Sequence, residues 1–457
     1  MRIFRKLHQK LNWTSTRYVG VVVGLLALTY LTSAVYHSVK PLPDGLDYTG
    51  KLRHADVKFI ADQTYIDAQG KQKQDHHIFD TVFKLIEDAQ TTIVLDMFLF
   101  NDEVGTSQVS QRALTRQLTD ALIVKRSLHP NIEIKVITDP INSVYGGLLP
   151  EHYRKLRQAG NNPDGGWLKN PFGDEKITLR SYLNLFNFKA NHRKTLVVDT
   201  AEGWKTLVTS ANPHDGSSRH SNVALLVTGN TAIDVLKTEQ TVAHLSQGDV
   251  PMVILGEIAG NPSQPQVQVL TEKAILDATL NLLNTAKAND QIDLAMFYLS
   301  ERQIINALKD AQKRGVKLRI LLDPNKDAFG RQKNGIPNRQ VASELNDAGI
   351  TVRWCNTQGE QCHSKMILKR HAQEAELILG SANFTARNLK NYNLETNLRV
   401  IGQSNAAVFT DAQQYFDGAW SNLNGRQMSV GYEQYKDESK LKYGLYRFME
   451  WSGLSTF

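Results

Sequence analysis

The sequence predicts an α/β protein: two pseudo-twofold-related α/β sandwich lobes with mostly parallel sheets, preceded by one N-terminal transmembrane helix. Three observations predict it. Apolar strand-like runs alternate with amphipathic helical patterns, the alternation recurs in two halves, and 19 uncharged residues near the start form an apolar stretch. A length of 457 residues suits two domains plus an appendage. With 41% hydrophobic and 22% charged residues, the composition excludes a mainly disordered or collagen-like chain. A mean hydropathy of −0.36 excludes a polytopic membrane protein but leaves room for one span.

Tyr18 to Tyr36 (YVGVVVGLLALTYLTSAVY) is the apolar stretch. As a helix it would run about 28 Å at ~1.5 Å per residue, close to the thickness of a bilayer core. Arg2, Arg5, Lys6, Lys10 and Arg17 precede it without an acid, whereas His37 to Leu52 offers Lys40 and Lys51 against Asp44 and Asp47. That asymmetry keeps the start cytoplasmic and places the body across the membrane. The expectation is an uncleaved single-pass anchor with an extracytoplasmic body. A cleaved signal peptide ending near Thr32-Ser33-Ala34 and a buried core helix are the alternatives. Without the arm's five cations, the formal net charge of +7 falls to +2, so the basic balance says little about what the folded body binds.

In the first half, a helical pattern over Ile78 to Ala89 leads into the strand Ile93 to Phe100. The matching pair in the second half is Ile275 to Ala286 and Ile292 to Leu299. Helices over Gln108 to Arg126 and Glu301 to Arg314 follow, then strands Ile132 to Pro140 and Val316 to Pro324, both ending in Asp-Pro. Gly256 to Gln266 reads as a connector. The expected division is 1–45 arm and anchor, 46–255 first lobe, 256–425 second lobe and 426–457 an aromatic-rich tail. Tail residues Tyr432, Tyr435, Tyr443, Tyr446, Phe448 and Trp451 are read as packing on the body, with lipid-interface contact as the alternative. Cys355 and Cys362, seven apart, could close a short loop in an oxidising compartment; two unpaired thiols are the alternative. Zinc is not expected, since no second ligand pair stands at a usable spacing.

The strongest signal is a His-x-Lys followed by Ser-Ala-Asn, present twice. His192, Lys194, Ser210, Ala211, Asn212 and Asn222 each recur 171 residues later as His363, Lys365, Ser381, Ala382, Asn383 and Asn393. The stray His8-Gln9-Lys10 has no such sequel and reads as membrane-proximal charge. At a strand entry, residues two apart share a face, so each histidine projects with its lysine. Ser and Asn follow at the end of the next strand. Two such sets facing each other would surround one tetrahedral anion with positive charge and donors, with an imidazole on either side. That constellation suits in-line displacement at phosphorus.

The doubled motif resembles the phospholipase D superfamily. Asn191-His192-Arg193-Lys194 after Asn187-Phe188, and Gly380-Ser381-Ala382-Asn383 with Asn393-Leu394-Glu395, look most like its bacterial cardiolipin synthase branch. The resemblance implies a covalent phosphohistidine without metal or other cofactor. It implies His192 as nucleophile, His363 as general acid, and Lys194, Lys365, Asn212 and Asn383 on the phosphate oxygens, with Ser210 and Ser381 in support. Glu395 matches the family's carboxylate and is expected beside His363, favouring its protonated form, since Ala224 stands 171 residues earlier. Asp199 completes the first motif. Arg370 replaces it in the second, at a strand parity that points away from the phosphate.

The implied substrate is a membrane phospholipid such as phosphatidylglycerol, processed by phosphatidyl transfer or hydrolysis. An anchored nuclease or other phosphodiesterase and an inactive binding protein are the competing classes. The near-neutral body argues against extended nucleic-acid binding. The permissible glycosylation sequons, Asn12-Trp13-Thr14 and Asn383-Phe384-Thr385, lie on the cytoplasmic side and inside the motif, which favours a bacterial cell membrane over a eukaryotic lumen.

Overall fold

A computed structural model describes residues 14–139, 141–142, 151–159, 168–169, 190–245, 249–250, 260–452 and 455. The arm before Thr14, Asn187-Phe188 and the start of the connector at 256–259 lie outside the described residues.

Helix α1 (Ser15–Val39) contains the apolar stretch, and its segment Ser15–Ser33 is long and apolar enough to cross a membrane, with none of it buried against the protein. The first half then supplies β1 (Arg53–His54), β2 (Asp56–Ile66), β3 (Gln72–Asp75), α2 (Ile78–Asp88), β4 (Thr92–Met97), α3 (Leu114–Leu128), β5 (Glu133–Thr138), α4 (Glu151–Ala159), β6 (Leu168–Lys169), β7 (Lys194–Thr200), β8 (Gly203–Thr209), β9 (Asn222–Thr228) and α5 (Thr231–His244). The second supplies β10 (Gln266–Thr271), α6 (Lys273–Asn284), β11 (Gln291–Met296), α7 (Arg302–Lys313), β12 (Lys317–Leu322), a hairpin of β13 (Asp327–Ala328) and β14 (Arg331–Gln332), α8 (Asn338–Asp347), β15 (Thr351–Cys355), β16 (Lys365–His371), β17 (Glu374–Gly380), α9 (Ala386–Leu389), β18 (Thr396–Gln403), α10 (Ala407–Ser421), β19 (Ser429–Gly431) and α11 (Lys440–Ser452).

The two large sheets share one order. The first runs β3-β2-β9-β8-β7-β4-β5-β6 and the second β1-β10-β18-β17-β16-β11-β12-β15-β19. The expectation of mostly parallel sheets is wrong. Only β4-β5-β6 and β11-β12-β15 pair in parallel, and every other neighbour is antiparallel. Parallel pairing needs a crossover long enough to return the chain, which α3, α7 and α8 supply. The connection from β7 to β8 is a tight turn at Thr200–Gly203, where Gly203 takes φ +108°, and a tight turn can only reverse the strand.

Three apolar layers hold the sheets. Ile93, Leu95, Leu196 and Val198 face outward onto α2 and α3, where Val82, Leu85, Ile86, Leu118 and Leu122 meet them. Ile292, Leu294, Ile367 and Ile378 face α6 and α7 in the second half. Between the sheets, Val94, Val197, Val208 and Leu225 pack with Ala295, Met366, Leu379 and Val400, along with α5 and α10. Alternate residues of one strand therefore enter two different cores, and burial on both faces is why the strands read as continuous apolar runs.

Local capping sets several element boundaries. The Asp62 carboxylate accepts from the amides of His77 and Ile78 at 2.7 and 2.9 Å, which starts α2. Helix α3 begins at Leu114 rather than Gln108, because the Arg112 amide is held by the Ser218 hydroxyl and the Thr115 amide by Asp215. The expected boundary at 46 also differs from the observed pairing. β1 and the bridge from Thr49 to Leu270 join the second sheet, covering the edge of β10 that would otherwise be open. β19, from the tail, closes the opposite edge on β15.

Candidate active site

Lys194 opens β7 opposite Met97, and Lys365 opens β16 opposite Met296. Each histidine stands two residues earlier, just past the carboxyl ends of the parallel strands, where ligand sites of α/β sheets gather. The Phe98 amide donates to Arg193 O and the Phe297 amide to Ser364 O, both at 3.1 Å. These bonds bring a phenyl ring against each imidazole, Phe98 at 4.6 Å from His192 and Phe297 at 4.8 Å from His363. The two halves are stitched together at the histidines themselves. The His192 amide donates to Leu394 O at 2.9 Å, and the His363 amide to Ser221 O at 2.8 Å.

The side-chain pairing is crossed. Glu395, from the second half, accepts from Nδ1 of His192 at 2.8 Å. Asn222, from the first half, faces Nδ1 of His363 through its Oδ1 at 3.1 Å. The expectation that Glu395 serves His363 is therefore wrong. So is the constant displacement of 171 beyond Asn383. The Ser210 hydroxyl accepts the Val223 amide at 3.0 Å and the Ser381 hydroxyl accepts the Thr396 amide at 3.0 Å, which makes Asn222 rather than Ala224 the counterpart of Glu395. Two extra residues in the loop carrying α9 produce the slip. Asn393 takes another role, accepting the Ala190 amide at 3.2 Å.

Both serines act one step back from where they were expected. Ser210 donates to Asn222 at 3.1 Å and Ser381 donates to Glu395 at 2.5 Å, so their hydroxyls orient the imidazole partners instead of facing a phosphate. Gly380 precedes Ser381 because a Cβ there would sit 2.3 Å from Thr396 O, whereas Thr209 fits at its position and bonds Val223 O at 2.9 Å. Asn212 and Asn383 are buried beside the motifs, and Oδ1 of Asn383 has no hydrogen-bond partner among the described residues.

A carboxylate can only accept, so Glu395 fixes the His192 proton on Nδ1 and leaves the Nε2 lone pair free. Asn222 does the same for His363. Burial, the largest influence, pulls His192 down to about 4 against the opposing pull of Glu395. His363 lies well below its ordinary value through burial first and then Lys365, with Lys194 and His192 adding to it. Both imidazoles are therefore neutral at pH 7, and the groups of one half are felt in the other.

The two lysines are also wholly buried. Nζ of Lys194 donates to His192 O at 2.6 Å, and Nζ of Lys365 to His363 O at 2.9 Å. Burial draws Lys194 down to about 7, and burial with the nearby Lys194 draws Lys365 well below its usual range. Burial raises Glu395, yet His192, Lys194 and Ser381 outweigh it and keep the carboxyl below its ordinary value.

Three groups escaped the sequence reading. Arg193, between the two motif residues, is buried and donates to Glu272 at 2.8 Å and to Thr238 at 2.9 Å, with Glu239 at 3.4 Å. Glu272 also accepts the Glu395 amide at 3.1 Å and the Asp47 amide at 2.8 Å, from a backbone at φ 47°, ψ −124° that a non-glycine residue rarely adopts. Its only signal was a carboxylate at the start of a helical pattern. His220 is a third imidazole, 5.8 Å from the His363 ring, with the Gln361 amide donating to its Nδ1 at 3.2 Å.

Asp199 lies away from the histidines, accepting the Thr91 and Thr92 amides at the start of β4. Its counterpart Arg370 likewise points away, toward Asp293 at 3.3 Å. Cys355 and Cys362 form a disulfide with a Cα–Cα distance of 6.1 Å, and the Cys362 amide donates to Asp323 at 2.8 Å beside His363. Among the described residues, no group of three or more His, Cys, Asp or Glu is arranged to hold a metal ion.

Known proteins resemble this chain in sequence and in fold. The family model "Cardiolipin synthase, PLD-like domain" matches residues 280–420. Cardiolipin synthase A of Pseudomonas entomophila (strain L48) is 25% identical over 347 residues, covering 71% of this chain and 63% of the relative, under two thirds of its length. Among solved structures, phosphatidylserine synthase of Haemophilus influenzae Rd KW20 superposes with a TM-score of 0.58 at 12% identity, over 92% of this chain and 99% of that one. Polyphosphate kinase of Porphyromonas gingivalis follows with a TM-score of 0.50 at 14% identity, over 88% and 54%. These similarities point to the phospholipase D superfamily, through a family model over residues 280–420 and a relative at 25% identity. Within it, the similarity lies with the cardiolipin synthase branch.

Proposed function

We propose that this chain is a membrane-anchored enzyme that processes the phosphodiesters of phospholipids through a covalent phosphohistidine, by phosphatidyl transfer as in cardiolipin synthesis or by phospholipase D-type hydrolysis. The observation that carries the reading is the crossed pair, Glu395 on His192 and Asn222 on His363. Similarity to cardiolipin synthase A and to the cardiolipin synthase family model supports the substrate class.

In the proposed mechanism, the free Nε2 of His192 attacks phosphorus, forming the N–P bond as the bond to the leaving alcohol breaks. Glu395 stabilises the positive charge that develops on the imidazole. His363, protonated once the phosphodiester anion lies beside it, gives its Nε2 proton to the leaving oxygen. It then takes a proton from the incoming water or alcohol, whose oxygen displaces Nε2 of His192. Lys194, Lys365, Asn212 and Asn383 hold the non-bridging oxygens. An anion between the two ammoniums replaces their mutual repulsion by attraction, which suits a buried site with two such cations.

The same reading takes the two sheets as pseudo-twofold halves of one catalytic body, with α1 as the anchor and the body on the extracytoplasmic face of a bacterial membrane. Purified protein incubated with phosphatidylglycerol, phosphatidylethanolamine and single-stranded DNA, with products identified by mass, tests the substrate class. Cardiolipin or phosphatidic acid is expected, and nucleotides alone would move the chain to the nucleases. For the covalent step, His363→Ala should leave a trapped adduct on His192 detectable while His192→Ala abolishes it. An adduct on His363 would reverse the roles.

A further inference from the structure

Helix α11 presents an apolar stripe to the outside. Leu441, Leu445, Phe448 and Trp451 recur at intervals of four and three, and they are 88%, 47%, 52% and 82% exposed. The opposite side is firmly docked. Tyr446 is buried and its hydroxyl accepts from Arg302 at 2.9 Å, while Glu450 accepts from the Ser300 hydroxyl at 2.7 Å and the Ala386 amide at 2.8 Å. The one acid of α11 thus points inward. Lys440 and Arg447 border the stripe on one side, and on the other Lys442 is paired with Asp437 at 2.6 Å.

We propose that this outer face lies in the interfacial layer of an anionic phospholipid bilayer. Leucine and aromatic side chains on one face, with no acid among them and with Lys440 and Arg447 along one border, make the pattern that embeds in headgroups while those two cations reach the phosphates. A second copy of the chain on the same stripe would bring the flanking cations of two helices together. The anchor points to the bilayer as well. Arg387 donates to Ser455 O at 3.1 Å, just beyond α11, and lies within electrostatic reach of Tyr30 of α1, so the apolar helix and α11 share one side of the second half. The inference deepens the proposed reading by naming the surface through which the enzyme meets its lipid, and the site lies close by. Helix α9, whose Arg387 faces this side, carries Asn388, whose side-chain Nδ2 donates to Glu395.

The test uses the full chain in proteoliposomes of phosphatidylcholine with or without phosphatidylglycerol. Leu445→Cys carries an environment-sensitive fluorophore, Val124→Cys on the outer face of α3 serves as reference, and the native cysteines stay joined. In phosphatidylglycerol membranes the label at 445 should show about fivefold less quenching by iodide than the label at 124, with strong quenching by nitroxide lipids. Equal iodide quenching at both sites overturns the proposal, as does shielding at 445 without nitroxide quenching, which would mean a protein partner. The readout needs no turnover, so it stands apart from the catalytic reading. A Leu441→Ser/Phe448→Ser variant adds a second arm. It should lose turnover on vesicles by about tenfold while keeping turnover of a soluble short-chain phosphodiester, and equal loss on both would count against bilayer docking.

Discussion

The Glu395 carboxylate of the second sheet bonds Nδ1 of the His192 imidazole of the first, at 2.8 Å. Each imidazole is thereby oriented by the half of the chain that does not carry it, because Asn222 does the same for His363. Neither half alone holds a correctly presented histidine.

Glu395→Gln should keep the fold and lower turnover by roughly 10³–10⁴-fold, the scale seen when a carboxylate orienting a catalytic imidazole is neutralised. Burial holds His192 at about 4, and Glu395 opposes that pull. Removing the negative charge lowers the proton affinity further, so the acid limb of kcat/KM, which reports protonation of His192, should move to lower pH as the plateau falls. A limb that moves upward would contradict the pairing.

Glu272→Gln probes the support beneath that pair. It leaves the buried Arg193 guanidinium with one fewer anion, at a cost of about 3 kcal/mol, and weakens the grip on the Glu395 amide. Thermal unfolding should shift down, and kcat should fall more than KM changes. A lower Tm with unaltered kcat would leave Glu272 a structural residue only.

Anion binding should take up protons. Lys194 is drawn to about 7, by burial first, so at pH 8 it is largely neutral, and burial draws Lys365 in the same direction. A bound anion favours their charged forms. Calorimetry with tungstate in buffers of different ionisation enthalpy should show net uptake at pH 8 and less at pH 6, where Lys194 is already protonated. Net proton release at pH 8 would rule this out.

Reduction of the Cys355–Cys362 disulfide opens a loop with a sequence separation of 7, worth about 2–3 kcal/mol by loop entropy. Because Cys362 precedes His363, Cys355→Ser/Cys362→Ser should lower both the unfolding temperature and turnover. Thermal scans and assays with and without reductant measure the two effects.

Much of the framework was legible in advance. The helix-strand pairs starting near Ile78 and Ile275 begin within a residue or two of their expected places, because an apolar period of 3.6 or a run buried on both faces is a local property. Both strands nevertheless end three residues early. The sheet direction was not legible, since an apolar run does not record which way its neighbour points. The motif residues were visible as a repeat, but the repeat misassigned Glu395, because counting along the chain cannot see a two-residue bulge in the loop holding α9.

By itself, the sequence determined the chemistry present: two imidazoles, two ammoniums and one carboxylate at motif spacing, an apolar helix, and two cysteines close enough to join. Only the tertiary structure decided which partner each imidazole received. Hydrogen bonds between the halves form where the sheets meet face to face, and that meeting is set by a core to which both contribute, so no local pattern in either half encodes it.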